Sequence, residues 1–332
     1  MKKKIILLLG CAMAAATQLS AQVADAIGQV DSSQQRRQLE QAALKPSDTA
    51  AESYPGEADD VGLQTIIRYP ARHNWVQASA DVLFYHTDNL FLLDHFTQEA
   101  NVLLSTIEVD LTPPGTALAG GELFPRVGYR HQWYSFGAFG GHVDGSTVKL
   151  DTFDFNAGTA FADVNWRRNG WTLGGGFDYT RLAGTDSGDE FYSEYAARWN
   201  AGYSFNLCEK SAVSLGYDGD YRWSCPSGFY PLAGRDNLDR TDHSITTTLS
   251  YRLCSHAILQ PYHRFKFTHF TGAPSRDDYL NTLGVGLYCP INQNIGVRFF
   301  TAWETRNVNG NNTTEDYRKF DIGGGVNLTF RF

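Results

Sequence analysis

The sequence predicts an all-β fold, a transmembrane antiparallel up-and-down β-barrel of about 12 strands. Apolar and polar residues alternate with a period of two along most of the chain after residue 74, as in strands that separate an apolar from a polar surface. Aromatic residues make up 14% of the chain and glycine occurs 32 times, yet charged residues are only 19% and mean hydropathy is -0.34. An apolar exterior around a polar interior gives this mixture. Because no apolar run of about 18 residues follows the N-terminal leader, a membrane would be crossed by strands.

The chain begins with a predicted secretory signal peptide at residues 1–21. Three lysines at 2–4 precede an apolar run at 5–9, and the sequence LSA at 19–21 is a small-residue cleavage site. The sequence LLGC at 8–11 offers an alternative, since it resembles a lipoprotein cleavage box that would place a lipid on Cys11.

Residues 22–73 lack the period of two and are predicted to form a flexible periplasmic N-terminal extension. Residues 32–44 have the composition of a short polar helix, and residues 46–60 are rich in Pro, Gly, Ser, Ala and acidic residues. The alternative is a plug that folds into the barrel lumen. The barrel itself is assigned to residues 74–332.

Alternation defines the strands of this barrel in chain order. Two segments are irregular: 136–143 is short and glycine-rich, and 153–166 changes phase in a way that predicts a bulge. The predicted strands are 75–85, 122–133, 136–143, 153–166, 171–182, 191–205, 213–223, 242–253, 259–268, 282–287, 295–304 and 316–332.

The predicted connections alternate between short turns and long loops. Residues 134–135, 167–170 and 254–256 are among the short ones, and residues 86–120 form the longest. We interpret 86–120 as the first extracellular loop, with room for a hairpin of its own or an infolded piece that narrows the pore. The short turns lie on the side of both termini, so this side is predicted to be periplasmic.

The last strand carries a recognisable pattern. Val326, Leu328, Phe330 and Phe332 alternate with polar residues and end the chain on an aromatic side chain. This pattern resembles the targeting strand of bacterial outer-membrane β-barrel proteins of the porin-like type. The resemblance implies location in the cell outer membrane, recognition by the barrel-assembly machinery, and outer-membrane lipid and lipopolysaccharide as surroundings.

The polar faces of the strands carry many charged residues, which are predicted to line a pore. A charge on the lipid face near the bilayer midplane costs about 2–4 kcal/mol for Arg or Lys, which enforces the inward facing. In one interpretation these groups pair across a narrow interior and are purely structural; in the other, an excess of basic groups favours anionic or polar solutes. The predicted pore-lining residues are Arg126, Arg130, Asp178, Glu194, Arg198, Asp218, Asp220, Arg222, Arg252, Arg264, Lys266, Arg298, Glu304, Lys319, Asp321 and Arg331.

The sequence predicts no enzyme, cofactor or metal site. The twelve-stranded outer-membrane phospholipase family uses a His and a Ser two residues apart, whereas His243 and Ser244 are adjacent and face opposite sides. Acidic residues near the outer rim, such as Asp239 and Asp277, could suggest an omptin-type protease, but solvated loop acids are common. A formal net charge of -8 gives no basic surface for nucleic acid.

Four cysteines remain after the leader, and none has the spacing of a zinc site. Cys208, Cys254 and Cys289 lie in or beside predicted periplasmic turns, and Cys225 lies in an outer loop. Secreted proteins meet an oxidising compartment, so we expect one disulfide, with Cys254 to Cys289 preferred because their turns are neighbours.

Together these features predict a narrow porin-like channel for small polar or anionic solutes. The alternative is a structural or surface-interaction barrel without transport, whose outer loops, chiefly 86–120 and 224–240, bind a partner. An autotransporter translocator is disfavoured because only about fifty residues separate the predicted cleavage site from the barrel.

Overall fold

A computed structural model gives the structure of the protein and describes residues 26–31, 33–34, 74–95, 97–137, 139–226, 238–254, 257–271, 275–310 and 316–332. Its strands are β1 (Val76–Thr87), β2 (Ala100–Leu111), β3 (Thr116–Leu118), β4 (Gly121–Ser135), β5 (Phe155–Arg168), β6 (Trp171–Gly184), β7 (Glu190–Cys208), β8 (Ser211–Pro226), β9 (Arg240–Cys254), β10 (Ala257–Phe270), β11 (Arg276–Pro290), β12 (Ile295–Gly310) and β13 (Tyr317–Arg331). A short 3-10 helix spans Leu150–Phe153.

All strands belong to one antiparallel sheet that closes on itself. β1 pairs with both β2 and β13, and β2 pairs in turn with β4. The short β3 pairs with the beginning of β4, just below the end of β2. Twelve long strands therefore form a closed barrel, in agreement with the predicted fold class.

The connections have the predicted asymmetry. Residues 169–170 and 209–210 form tight turns on the side of the termini, whereas residues 88–99 and 136–154 are long connections at the other end. In outer-membrane barrels short turns face the periplasm and long loops the exterior. We call these ends of the barrel inner and outer.

The predicted first loop, 86–120, is wrong in its central part, because Ala100–Leu111 is the transmembrane strand β2. Its inward residues Val102 and Leu104 are apolar and buried, and its outward residues Ile107 and Val109 further along are apolar and exposed. Both faces are therefore apolar at different heights, which hides the alternation.

Conversely, the predicted strand 136–143 is wrong. Gly140 and Gly141 have φ values of 76° and 141°, which a regular strand does not contain. The stretch belongs to the outer connection between β4 and β5, and Tyr134 and Ser135 end β4 instead of forming a turn. The predicted total of about 12 strands still agrees because one missed strand offsets one false strand.

The predicted bulge in 153–166 is also wrong. The register between β4 and β5 runs without a shift from Glu122 and Arg167 to Tyr134 and Phe155. The alternation is blurred because part of the outward face of β5 consists of small residues, including Gly158 and Ala160, while large residues such as Phe161 point inward. Bulges or irregular pairs occur elsewhere, as at the Leu182/Ala183 step in β6.

The outward face of the barrel is an apolar belt. Ile107, Val127 and Phe299 are 51%, 55% and 54% exposed, and alternate residues on other strands are similar. So much exposed apolar surface on every side is unfavourable in water and suits a lipid environment. Among the described residues, no helix is long and apolar enough to cross a membrane.

The described part of the predicted N-terminal extension lies inside the barrel. Residues 26–31 and 33–34 are helical, and Ala26 and Val30 belong to a buried apolar cluster with residues of β1, β2, β4, β5, β6 and β7. This position matches the plug alternative for these residues. The signal peptide, the rest of 22–73 and residues 227–237 of the connection between β8 and β9 lie outside the described residues.

The preferred disulfide is absent: Cys208, Cys225, Cys254 and Cys289 are all free. Cys254 ends β9 and Cys289 lies in β11, so the whole of β10 separates them. Two strand spacings place their Cα atoms about 10 Å apart, beyond the ~7 Å that a disulfide can bridge.

Candidate functional site in the barrel lumen

The structure places the predicted pore-lining residues on the inward faces of their strands. Eight of them are buried in the lumen, namely Asp178, Glu194, Arg222, Lys266, Arg298, Glu304, Lys319 and Asp321. Arg126, Arg130, Arg198, Asp218, Asp220 and Arg264 are partly buried, whereas Arg252 and Arg331 are exposed near the inner end. This facing follows the period of two, and their role in lining a pore stays a prediction.

The lumen does not have the predicted excess of basic groups. Arg126 Nη2 lies 2.5 Å from Glu108 Oε1 and its Nε lies 3.0 Å from Asp110 Oδ2, while Arg130 Nε lies 2.5 Å from Glu108 Oε2. Both carboxylates belong to β2, which lies within the predicted first loop, 86–120. Their E-V-D pattern, with Val109 between two acids, was the available signal for an inward acidic face.

Other inward cations are paired in the same way. Arg198 contacts Asp163 of β5 at 2.5 Å and Asp178 of β6 at 2.8 Å. On the opposite wall, Arg298 Nη2 lies 2.6 Å from Asp81 Oδ1, and both side chains are buried. These pairs join neighbouring and near-neighbouring strands and narrow the lumen between them.

The largest cluster of charges spans β7 to β10. Arg222 contacts Glu194 at 2.6 Å and Asp220 at 2.9 Å. Arg240 contacts Glu194 at 3.1 Å and Asp242 at 3.3 Å. Arg240 is not among the predicted pore-lining residues, because it stands at the very start of β9 and precedes the predicted strand 242–253.

The N-terminal helix, residues 26–31 and 33–34, docks against this lumen through polar contacts to several strands. Tyr85 donates a hydrogen bond to Gln29 Oε1 at 2.8 Å. Tyr134 and Gln132 donate to the Ser33 hydroxyl at 2.8 and 3.0 Å. Partners on β1 and β4 therefore fix one side of the helix.

On its other side the helix presents a carboxylate to the charge cluster. Lys266 Nζ lies 2.8 Å from Asp31 Oδ2, and Arg222 Nη1 lies 3.4 Å from Asp31 Oδ1. Burial by itself raises the pKa of Asp31, but the charges of Lys266, Arg222 and Arg240 outweigh burial and hold that pKa below its ordinary range. Asp31 is therefore a charged carboxylate in the lumen.

The lumen has two zones along its axis. In the outer zone, Ala26 packs near Leu90, Phe91, Phe136 and Phe153 of the outer connections, which makes an apolar core. Below the helix, a cavity of about 70 Å³ is lined by Asp31 and Gln34 of the helix and by charged residues of β7 to β10. This volume has room for a few water molecules.

His243 and Ser244, which were weighed for catalysis, face opposite sides of the barrel wall. Asp242 points into the lumen whereas His243 points outward, where its Nδ1 lies 2.8 Å from the Tyr217 hydroxyl. At the outer rim, His269 Nδ1 lies 2.6 Å from Asp277 Oδ1. Within the described part of the chain, no three His, Cys, Asp or Glu side chains are grouped so that they could hold a metal ion.

A closed antiparallel barrel with an apolar exterior, a charged interior, and short turns on the side of both termini defines the class of this protein. It has the architecture of bacterial outer-membrane β-barrel proteins.

No protein-family model and no curated protein matches the chain. Solved structures resemble it at low identity. The β domain of the Bordetella autotransporter BrkA is 14% identical, with 77% of this chain and 100% of that chain covered and a TM-score of 0.46. An outer membrane channel from Pseudomonas putida F1 is 13% identical, with 81% and 100% covered and a TM-score of 0.49. An anion-selective porin from Comamonas acidovorans is 10% identical, with 77% and 98% covered and a TM-score of 0.39. At these values the likeness is confined to the barrel architecture.

Proposed function

We propose that this protein is a narrow channel for small polar solutes, including anions, and that its own N-terminal helix closes it. The observation that carries the proposal is the helix itself, residues 26–31 and 33–34, which lies within the lumen. A helix with its side chains is about 10–12 Å across. A lumen that accommodates it leaves a passage for small solutes when the helix moves out.

The polar cavity below the helix supports the same function. Charged side chains from β7 to β10 surround it, so a hydrated solute that enters from the inner end meets hydrogen-bonding partners instead of an apolar wall. Since most inward cations are paired with carboxylates, we expect weak selectivity for net charge and passage of neutral polar solutes as well as anions.

Deletion of residues 26–34 tests the proposal. In planar bilayers we expect the purified full-length protein to be mostly closed and the deletion variant to show discrete conductance steps, because the obstruction is gone. A deletion of equal length at 48–56 is the control, and it should stay as closed as the full-length protein. A deletion variant that is folded, by its heat-modifiable mobility in electrophoresis, but silent would contradict the channel.

A silent deletion variant would favour the second candidate, a barrel without transport whose outer surface binds a partner. One observation favours this candidate: the outer connections at 88–95 and 139–154 pack with Ala26 into a compact apolar core. Outer-membrane lipid, lipopolysaccharide and the barrel-assembly machinery stay predicted partners.

A further inference from the structure

Asp31 is held by two cations that come from the barrel wall. Lys266 Nζ of β10 lies 2.8 Å from Asp31 Oδ2, and Arg222 Nη1 of β8 lies 3.4 Å from Asp31 Oδ1. Each cation therefore contacts a different oxygen of the carboxylate. All three side chains are largely buried, with 10%, 9% and 15% exposed for Lys266, Arg222 and Asp31. Charge-assisted contacts to both oxygens are the usual way in which proteins recognise a carboxylate.

The field at this position favours a negative charge in spite of the acids around it. Asp220, Asp242 and Glu194 surround the same cations, and Arg240 adds a third positive group. The combined effect of the three cations still lowers the pKa of Asp31 and keeps it ionised, although burial acts in the opposite direction. A carboxylate of another molecule at this point would experience the same attraction.

Asp31 and the two cations come from different parts of the chain, the carboxylate from the N-terminal helix and the cations from the barrel wall. Asp31 belongs to the N-terminal helix, which is distant in sequence from β8 and β10, and the polar cavity adjoins Asp31 directly. A small solute in this cavity therefore reaches the carboxylate position without crossing the apolar outer zone.

We propose that Lys266 and Arg222 form a binding site for the carboxylate of a small solute, which Asp31 occupies as an internal competitor. The proposal rests on the proposed function, since a solute reaches the site only through the lumen. When the solute binds, it displaces Asp31 and removes one of the contacts that keep the helix docked. The solute that passes thereby loosens the plug.

Succinate is a suitable probe because it is a small dicarboxylate, and succinamide is its neutral analogue. We would measure binding by isothermal titration calorimetry to the purified full chain in detergent. We expect Asp31→Asn to bind succinate at least about 10-fold more tightly than the unmodified protein, because the competing charge is removed. Succinamide should show no such gain.

Two further variants make the result specific. Ser33→Ala loses hydrogen bonds that dock the same helix but keeps Asp31, so its affinity for succinate should stay within about 3-fold of the unmodified protein. Adding Lys266→Gln to Asp31→Asn should remove the gain. An Asp31→Asn variant that binds succinate no more tightly than the unmodified protein, or a Ser33→Ala variant that gains as much, would overturn the site.

The channel and the site fail in different experiments. If the deletion of 26–34 conducts but Asp31→Asn gains no affinity for succinate, the channel stands and the carboxylate site is wrong. If Asp31→Asn binds succinate tightly but the deletion variant is silent, the site stands and the channel is wrong.

Discussion

At the scale of single residues, the lumen is governed by the cost of burying charge. Arg298 and Asp81 are 6% and 2% exposed and lie 2.6 Å apart, so each neutralises a charge that the interior alone would disfavour. The inward residue type was predictable from the alternation, but the partner was not. Asp81 lies on β1 and Arg298 on β12, and β13 separates these strands in the closed sheet.

Arg298→Met should lower the free energy of unfolding by about 3–5 kcal/mol, because Asp81 is left as a buried charge without its ion pair. Arg181→Met is the matched control, since Arg181 pairs with Glu190 at 2.8 Å on the exposed outer surface. The control should lose less than about 1 kcal/mol. Urea unfolding in lipid vesicles, followed by tryptophan fluorescence, measures both variants. Equal losses would argue against a special role for the buried pair.

At the scale of elements, the last strand closes the barrel against the first. β13 pairs with β1 along its length, and Phe332 and Val76 exchange two backbone hydrogen bonds at 2.9 and 3.2 Å. Val326 and Phe330 face outward as the targeting pattern predicted. On the inward side, Gly323 lets Tyr85 lie against the wall, which brings the Tyr85 hydroxyl to Gln29.

Gly323→Ala should therefore destabilise the seam between β1 and β13. A Cβ atom at this position would lie 2.4 Å from the Phe84 carbonyl oxygen and from Tyr85 Cβ, so the backbone must shift. We expect a loss of about 1–3 kcal/mol in the free energy of unfolding. Gly296→Ala on β12, with nothing within 4 Å, is the control and should change stability by less than about 0.5 kcal/mol. The urea assay decides, and an unaffected Gly323→Ala would refute tight packing at the seam.

The strands also differ in how well the sequence predicts them. Strands with an apolar outward and a polar inward face, such as β7 and β9, were predicted within a few residues. β2 was missed because Val102 and Leu104 face the docked helix and are as apolar as a lipid-facing residue. Both side chains share a buried apolar cluster with Val30 and Ala26, and the alternation within β2 cannot indicate this tertiary packing.

At the scale of the whole molecule, the proposed function depends on the docking of the N-terminal helix inside the barrel. The outer zone contributes apolar packing that does not depend on pH, and the inner zone contributes the ion pairs of Asp31. The position of the helix in the lumen was predictable only as an alternative, because residues 22–73 have no period-two pattern and the residues that the helix contacts are dispersed over many strands.

Docking of the helix should weaken at low pH. The pKa of Asp31 is lower in the docked helix than in the free segment, so the docked state binds fewer protons. Its ion-pair contribution is fully present above the ordinary carboxyl pKa of about 3.9 and decreases as the pH falls below that value. In planar bilayers we therefore expect the open probability of the full chain to rise steeply below about pH 4.

Asp31→Asn separates this effect from any contribution of the barrel carboxylates Glu194, Asp220 and Asp242, which contact the same cations. The variant lacks the titrating group, so it should open more often than the unmodified protein at neutral pH and respond less to acid. Ser33→Ala, which keeps Asp31, should retain the full response to acid. If Asp31→Asn and the unmodified protein respond equally to acid, the barrel carboxylates and not the helix control the lumen at low pH.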